Sequence, residues 1–357
     1  MNGVRRSNPD SAFARRLLAW YDNHGRRDLP WRRTSDPYAI WVSEIMLQQT
    51  QVNTVLPYYA RFMQAFPAVA DLARADIDRV LHLWSGLGYY ARARNLHAAA
   101  QRIAAEHGGV FPRDMHDVAA LPGIGRSTAG AILTIAYGAR HPILDGNVKR
   151  VLARYYRITG WPGDRAVEAR LWMAAESLTP RTRVGDYTQA IMDLGATVCR
   201  RGQPVCDRCP QKKYCAARRA GDADRYPAPQ PRRHRPQRRV VMLLLQDGTG
   251  RVLLARRPPA GIWGGLWSLP ECDPGTDIAA WCDRRLGLKV DNISACPAVQ
   301  HGFSHFDLEI TPVLARVRAA SQVMEKHDTV WYNVDRPDRR GLAAPVKRIL
   351  EQIWSKA

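Results

Sequence analysis

Four cysteines fall within seventeen residues of this chain, in the spacing Cys199-x6-Cys206-x2-Cys209-x5-Cys215. Thiolates so close in sequence can close around one metal centre with little loop entropy to overcome. The softness of sulfur admits either zinc or an iron–sulfur cluster. The other cysteines, Cys272, Cys282 and Cys296, are scattered, which argues for a local metal site in a reducing compartment rather than a disulfide framework. Arg200, Arg201, Arg208, Lys212 and Lys213 crowd the same segment, so a loop ordered by metal presents cations to phosphates.

The charge of the whole chain points the same way. Its 357 residues carry 53 Lys and Arg against 33 Asp and Glu, a formal charge of +20, and an excess of that size marks a polyanionic partner. Apolar residues make up 46%, enough for a sizeable core. No apolar run approaches the roughly 20 residues needed to span a bilayer. Arg5 and Arg6 are not followed by an apolar stretch, so the reading is of a cytoplasmic chain with no secretory signal.

Periodicity divides the chain into a multidomain α and α+β protein. Residues 1–217 read as helical, with apolar residues at three- and four-residue intervals in Phe13-Leu17-Trp20-Tyr21 and Val80-Leu83-Trp84. Asp36-Pro37 is a helix start, and Gly138 a helix stop. Residues 218–239, with eight arginines and four prolines, read as an extended linker, either a solvated tether or a strap along an acidic partner. Residues 240–357 change to strand periodicity. Val240–Leu245 and Arg251–Arg256 flank Asp247-Gly248-Thr249-Gly250, a hairpin signal. Further strands are expected at Leu308–Val317 and Thr329–Val334, and helices at Ile278–Leu286 and Pro345–Trp354.

Three motifs carry chemistry. Leu121-Pro122-Gly123-Ile124-Gly125 joins helical patterns at 114–120 and 126–137 and reads as a helix-hairpin-helix near 114–138, or as a plain tight αα-turn. Its glycines allow close approach to a phosphate, and the second helix offers N–H donors and a positive dipole end. Asp145, in Leu144-Asp145-Gly146-Asn147-Val148-Lys149-Arg150, stands at the mouth of a new helix as an N-cap, a reacting carboxylate, or both. Glu44, in Trp41-Val42-Ser43-Glu44-Ile45-Met46-Leu47-Gln48-Gln49-Thr50, shares a helical stripe with Ile40, Trp41 and Gln48. A carboxyl so placed has its pKa raised by desolvation, as a general acid requires.

Together with Arg26-Arg27-Asp28-Leu29-Pro30-Trp31-Arg32 and Trp84-Ser85-Gly86-Leu87-Gly88-Tyr89-Tyr90-Ala91-Arg92, these strings resemble the MutY family of adenine DNA glycosylases, in the endonuclease III superfamily. The match runs over nearly the whole chain. It implies an all-α helix-hairpin-helix glycosylase core with a 4Fe–4S cluster on Cys199, Cys206, Cys209 and Cys215. The implied partner is double-stranded DNA with adenine mispaired with 8-oxoguanine or guanine, bound by a monomer that initiates base excision repair. By the same resemblance Glu44 protonates adenine, Asp145 stabilises the sugar cation and Asn147 orients sugar or water. Arg27, Trp31, Arg32 and Gln189 line the adenine pocket, though Trp31 serves equally as core. Gln49 and Tyr89 face the opposite strand, with Tyr89 as a wedge. Leu121, Gly123, Gly125 and Ser127 carry the hairpin's DNA contact.

Two departures refine the expectation. Lyases of the superfamily carry a lysine where this chain has Ser127, and a hydroxyl cannot form a Schiff base, so a monofunctional enzyme is expected; Lys149 is a candidate for weak adventitious lyase activity. In the C-terminal part, Gly265-x5-Glu271 resembles the start of a Nudix box, but Ala279-Ala280-Trp281-Cys282-Asp283-Arg284-Arg285 lacks the paired glutamates that hold Mg²⁺. A Nudix-like α/β domain that reads 8-oxoguanine without hydrolysing nucleotides is implied. Phe303-Ser304-His305 matches the family's recognition loop, although a strand-end turn would explain the bare tripeptide. Rival readings are a bifunctional lyase on oxidised pyrimidines, an inert lesion binder, and a Nudix hydrolase with a DNA anchor.

Overall fold

A computed structural model describes residues 12–231, 234–259, 261–303, 305–319, 328–338 and 340–354. Along the chain run α1 (Ala12–His24), α2 (Pro37–Met46), α3 (Val52–Ala65), α4 (Val69–Arg74), α5 (Ile77–Trp84), α6 (Ala91–Glu106) and α7 (Met115–Ala120). They are followed by α8 (Arg126–Tyr137), α9 (Gly146–Tyr156), α10 (Arg165–Leu178), α11 (Val184–Asp193) and the short α12 (Ala216–Arg219). Strands β1 (Gln237–Gln246), β2 (Val252–Arg256), β3 (Trp267–Ser268) and β4 (Glu271–Cys272) come next, then α13 (Ile278–Leu286). The last elements are β5 (Lys289–Ala295), β6 (Val299–Gly302), β7 (Asp307–Ala319), β8 (Thr329–Tyr332) and α14 (Ala344–Trp354).

Aspartates start many of these helices. Asp36, Asp114, Asp145 and Asp164 each accept from backbone N–H groups of the first turn that have no partner inside the helix. Gly138 caps the far end of α8. What holds the helices is an apolar face: Phe13, Leu17 and Tyr21 of α1 pack with Val148, Val151 and Leu152 of α9, Leu171 of α10 and Ile191 of α11. Each such side chain, removed fully from water, contributes about 1.5–3 kcal/mol before the cost of ordering it.

Two compact units result: residues 1–73 with 98–232, and residues 74–97 with 233–357. Residues 74–97, which the periodicity places among the helices of the N-terminal region, thus cluster with the C-terminal one. Asp78 of α5 accepts from Arg256 Nη2 of β2 and Trp267 Nε1 of β3, both at 3.2 Å.

The C-terminal sheet has the order β3-β2-β1-β7-β5, with β4 also pairing β1, β6 pairing β7 and β8 pairing β2. Its spine is parallel pairing of β1 with β7, from Gln237↔Asp307 to Gln246↔Arg316. The expected β1–β2 hairpin forms, closing at Gln246↔Val252, and Asp247 Oδ1 accepts from the N–H groups of Thr249 and Arg251. Leu243, Leu245, Val313 and Ala315 of the two spine strands pack with Cys282 of α13. The stretch 218–239 is extended only in part: it opens in α12, makes a 3-10 turn at Ala223–Arg225, and ends in β1. Tyr226 is buried in the helical core, an anchor that arginine and proline content does not reveal. No described helix is long and apolar enough to cross a membrane.

Candidate active site and cysteine cavity

Glu44 and Asp145 line one cavity of about 810 Å³ in the helical unit, within the size range of small-molecule sites. Helix α2 brings Glu44 there because Ile40, Trp41, Ile45 and Met46 are buried, which fixes the helix's rotation. Burial first, and the charge of Asp145 after it, push the Glu44 carboxyl up to about 7 against the opposing charge of Arg32. Asp145 caps α9, accepting from Val148 N at 2.7 Å and from Asn147 Nδ2 at 3.2 Å. Burial raises its pKa too, but the N–H groups of Val148 and Asn147 hold the anion. Since Asp145 lifts Glu44 by its charge, Glu44 is the group that keeps its proton to higher pH. Arg150 donates to Asn147 Oδ1 at 2.7 Å and, through Nε, to the carbonyl of Cys199 at 2.6 Å.

The cavity wall is set by a residue the sequence reading missed. Asp193, fully buried at the end of α11, accepts from Arg26 N, Nε and Nη2 and from both terminal nitrogens of Arg32, at 2.6–3.0 Å. Two guanidinium forks on one carboxylate fix both arginines on the wall. Gln189 also lines it and accepts from Tyr21 Oη at 2.7 Å. Trp31 lines it and packs edge-on against Tyr59, 5.1 Å between centroids, so it serves pocket and core together. Arg27 is a correction: it is exposed, pairs with Asp22, sits over Tyr21 and is not on the wall, whereas Arg26 is. Neighbouring arginines in one motif differ only in which way the short turn before Pro30 points them, and that is a tertiary matter. An acid ending an amphipathic helix, like Asp193, carries no signal that separates it from a surface charge.

The hairpin turn forms as expected. Gly123 takes φ 78, a left-handed value that suits glycine, and no side chain caps α8 at Gly125. The first N–H groups of α8 are thereby open to an anion. Leu121 is buried, so its side chain packs instead of reaching DNA. Ser127 lines the cavity, and its Oγ accepts from Leu144 N at 2.9 Å, holding the loop that carries Asp145. Lys149 is not on the wall: its ammonium pairs with Glu168 at 2.6 Å, which withdraws the adventitious amine the sequence suggested. Gln49 and Tyr89 are exposed at φ 57 and φ 50, strained values for residues with side chains.

Cys199, Cys206, Cys209 and Cys215 line a second cavity, with Arg154 and Tyr155. No three of their sulfurs lie within 4.8 Å of one another, whereas four thiolates on one zinc stand about 3.8 Å apart, given Zn–S bonds near 2.3 Å. The sulfurs thus stand wider apart than a single tetrahedral zinc would hold them. Burial raises the thiols of Cys206 and Cys215, and that of Cys209 to about 12. Arg154 is 2% exposed and donates to the carbonyls of Arg200, Ala223 and Tyr226 and to Cys199 Sγ at 3.3 Å. Among the described residues no carboxylate pairs with it.

Comparison with known proteins accords with this geometry. Residues 42–177 match the model of the HhH-GPD superfamily base excision DNA repair protein, and residues 240–352 that of the NUDIX domain. A thermostable thymine-DNA glycosylase is similar in structure, with TM-score 0.52 and 29% identity, over 58% of this chain and 95% of that one. An endonuclease III in a non-covalent DNA complex shares the fold at TM-score 0.50 and 18% identity, over 58% and 94%. An adenine DNA glycosylase of Buchnera aphidicola subsp. Acyrthosiphon pisum is 40% identical across 96% of this chain and 97% of its own. The chain belongs to the adenine DNA glycosylase family. It is therefore a DNA N-glycosylase, with an endonuclease III-like helical core and a Nudix-like C-terminal domain.

The Nudix-like domain carries an aromatic cluster. Glu271, the acid left from the Nudix-like string, is paired with Arg257. Phe303 stacks on Phe306 with centroids 4.6 Å apart and contacts Trp263 at 5.2 Å and His301 at 4.7 Å. His305 is exposed beside it; Ser304 lies outside the described residues.

Proposed function

We propose that the chain removes adenine placed opposite 8-oxoguanine, or opposite guanine, in duplex DNA by acid-catalysed hydrolysis of the N-glycosidic bond, without a lyase step. The observation that carries this reading is a glutamate whose pKa rises to about 7, sharing a cavity with an aspartate held by backbone N–H groups. Adenine leaves poorly unless protonated, and its bond is hidden in the stack. The nucleotide must first be flipped out, at a cost of a few kcal/mol that a mispair lowers. Glu44 then donates its proton to N7. The bond breaks with its electron pair passing to the purine, and the sugar gains oxocarbenium character. Asp145, steered by Asn147, stabilises that cation, and water completes the exchange.

Ser127, engaged with Leu144 N, and Lys149, engaged with Glu168, both speak against imine formation. The four cysteines are assigned to a 4Fe–4S cluster, whose part when bound is to organise residues 199–215; Arg154 meets its charge from inside. Phe303, Ser304 and His305 are assigned to the base opposite adenine, and Tyr89 and Gln49 to the strand around it.

Single-turnover base release from duplexes with adenine opposite 8-oxoguanine, guanine and thymine tests this, with Glu44→Gln alongside. Release from the first two only, and a fall of about 10²–10⁴-fold in the variant, is expected for loss of a general acid. The wild-type rate should fall as pH rises through about 7, since Glu44 must be protonated. Covalent trapping of wild type on DNA by borohydride would restore the lyase reading.

A further inference from the structure

Tyr89 sits in a tightly pinned loop. Trp84 Nε1 and Arg92 Nη2 both donate to the carbonyl of Gly88, at 3.1 and 3.0 Å, and Gly86 N donates to Tyr90 Oη at 3.2 Å. The Arg92 guanidinium lies 5.4 Å from the rings of both Trp84 and Tyr89. These residues belong to segment 74–97, which forms one compact unit with 233–357. A tyrosine that is 54% exposed at φ 50 is thus displayed by its neighbours and not packed by them.

The same segment is tied to the turn between β2 and β3. That turn is closed by Arg257 N donating to Leu266 O at 2.9 Å and Leu266 N donating to Trp263 O at 3.0 Å. Its flanks, Arg256 and Trp267, both donate to Asp78 of α5. Its tip carbonyl, on Gly264, accepts from Arg94 Nη1 of α6 at 2.5 Å. A Cβ at residue 264 would lie 2.3 Å from Pro259 O, so only glycine lets the chain turn so tightly there. The neighbouring Trp263 is held at φ 53 with its ring against Phe303 and His301, at 5.2 and 5.4 Å. One continuous set of contacts therefore runs from Phe303 through Trp263 and Gly264 to Arg94, five residues beyond Tyr89.

We propose that the β2–β3 turn couples base reading to the wedge: the position of Phe303 sets that of Trp263 and Gly264, and Arg94 passes it to the loop that presents Tyr89. Arg94 is a positioning residue, acting through Gly264 without touching DNA. This rests on the assignments of Phe303 and Tyr89 made above. A helical segment held by the reading unit gives the oxidised base a mechanical path to the wedge, and a strained left-handed residue at the joint is suited to two settings.

The test compares single-turnover adenine release opposite 8-oxoguanine with release opposite guanine, in wild type, Arg94→Met and Arg94→Lys. Arg94→Met should lower the ratio of the two rates about tenfold, an ordinary size for coupling between sites, while release opposite guanine stays within about twofold. Arg94→Lys keeps a donor for Gly264 and should recover most of the ratio. The fluorescence of 2-aminopurine beside the oxidised base reports stacking by the wedge, and its change on binding should shrink in Arg94→Met only. Trp263→Leu combined with Arg94→Met should be no worse than either alone. Additive losses, or an unchanged ratio in folded Arg94→Met, would overturn the coupling. If Arg94→Met melts early, Asp78→Asn, which loosens the flanks of the same turn, should lower the ratio in the same way, and an unchanged ratio there would equally overturn the coupling. A wild type that releases adenine equally from both duplexes would overturn the functional reading instead.

Discussion

The two cavities of the helical unit hold buried charge in opposite ways. Around Glu44 and Asp145 the polypeptide balances its own charges: Asp193 answers Arg26 and Arg32, and the α9 N-terminus with Asn147 answers Asp145. Glu44, pushed up to about 7, is left to hold a proton. Around the cysteines the balance is missing, for Arg154 is buried among carbonyls and cysteine sulfurs. The first cavity is complete as a folded chain, poised for a reaction. The second leaves a buried cation facing four thiols, which is where the proposed cluster would bring the opposite charge.

Asp193→Asn is the hardest blow to the balanced cavity. It leaves the guanidinium of Arg32, 7% exposed, without its partner, and breaking a buried pair from one side costs about 3–5 kcal/mol. Urea unfolding should show that loss. The pH profile of adenine release should also move, because an uncompensated Arg32 favours the ionised form of Glu44, so the decline begins below about 7. A profile that stays in place would mean Asp193 only supports the fold.

Arg154→Met probes the unbalanced cavity, with a smaller effect that differs between the two loading states. Without iron, relief of the buried cation is offset by the carbonyls of Arg200, Ala223 and Tyr226 losing their donor, so stability should change by no more than about 1–3 kcal/mol. With iron it removes a countercharge, so the loaded protein should lose iron faster to a chelator. Equal effects in both states would end the contrast.

The smallest effect sharpens the role of Glu44. Its folded pKa stands above the value of 4.5 that it has when exposed, so the folded state binds the proton more tightly. Stability from this group is full below about 4.5 and is lost as pH rises to about 7. Glu44→Gln should therefore be more stable than wild type at pH 8 by roughly 1–2 kcal/mol, less than the full shift implies because the side chain is partly exposed. At pH 4 the two should melt alike.

Much of this was legible in advance because it is local. Asp36-Pro37, Asp114 and Asp145 announce helix starts by capping chemistry that involves only the next few residues. Asp247–Gly250 announces its hairpin in the same way. Glu44 was readable as a buried acid because the stripe it shares must face a core. Arg26 and Arg27 were not separable, and Asp193 was invisible, because the roles of Arg26 and Asp193 depend on partners more than 160 residues away. Lys149 illustrates the converse: its place beside Asp145 in sequence suggested reactivity, and Glu168 on the next helix took it out of reach.

The helix starts, the change to a sheet after residue 239, the four-thiol loop and the two carboxylates rest on residue type and short spacing, and the chain's own letters were enough for them. Which arginines face the cavity, that Arg154 lies against Cys199, and that residues 74–97 join the C-terminal unit came from the fold instead. Those depend on burial and on distant chain segments meeting, and desolvation turns such meetings into shifted pKa values and fixed charges.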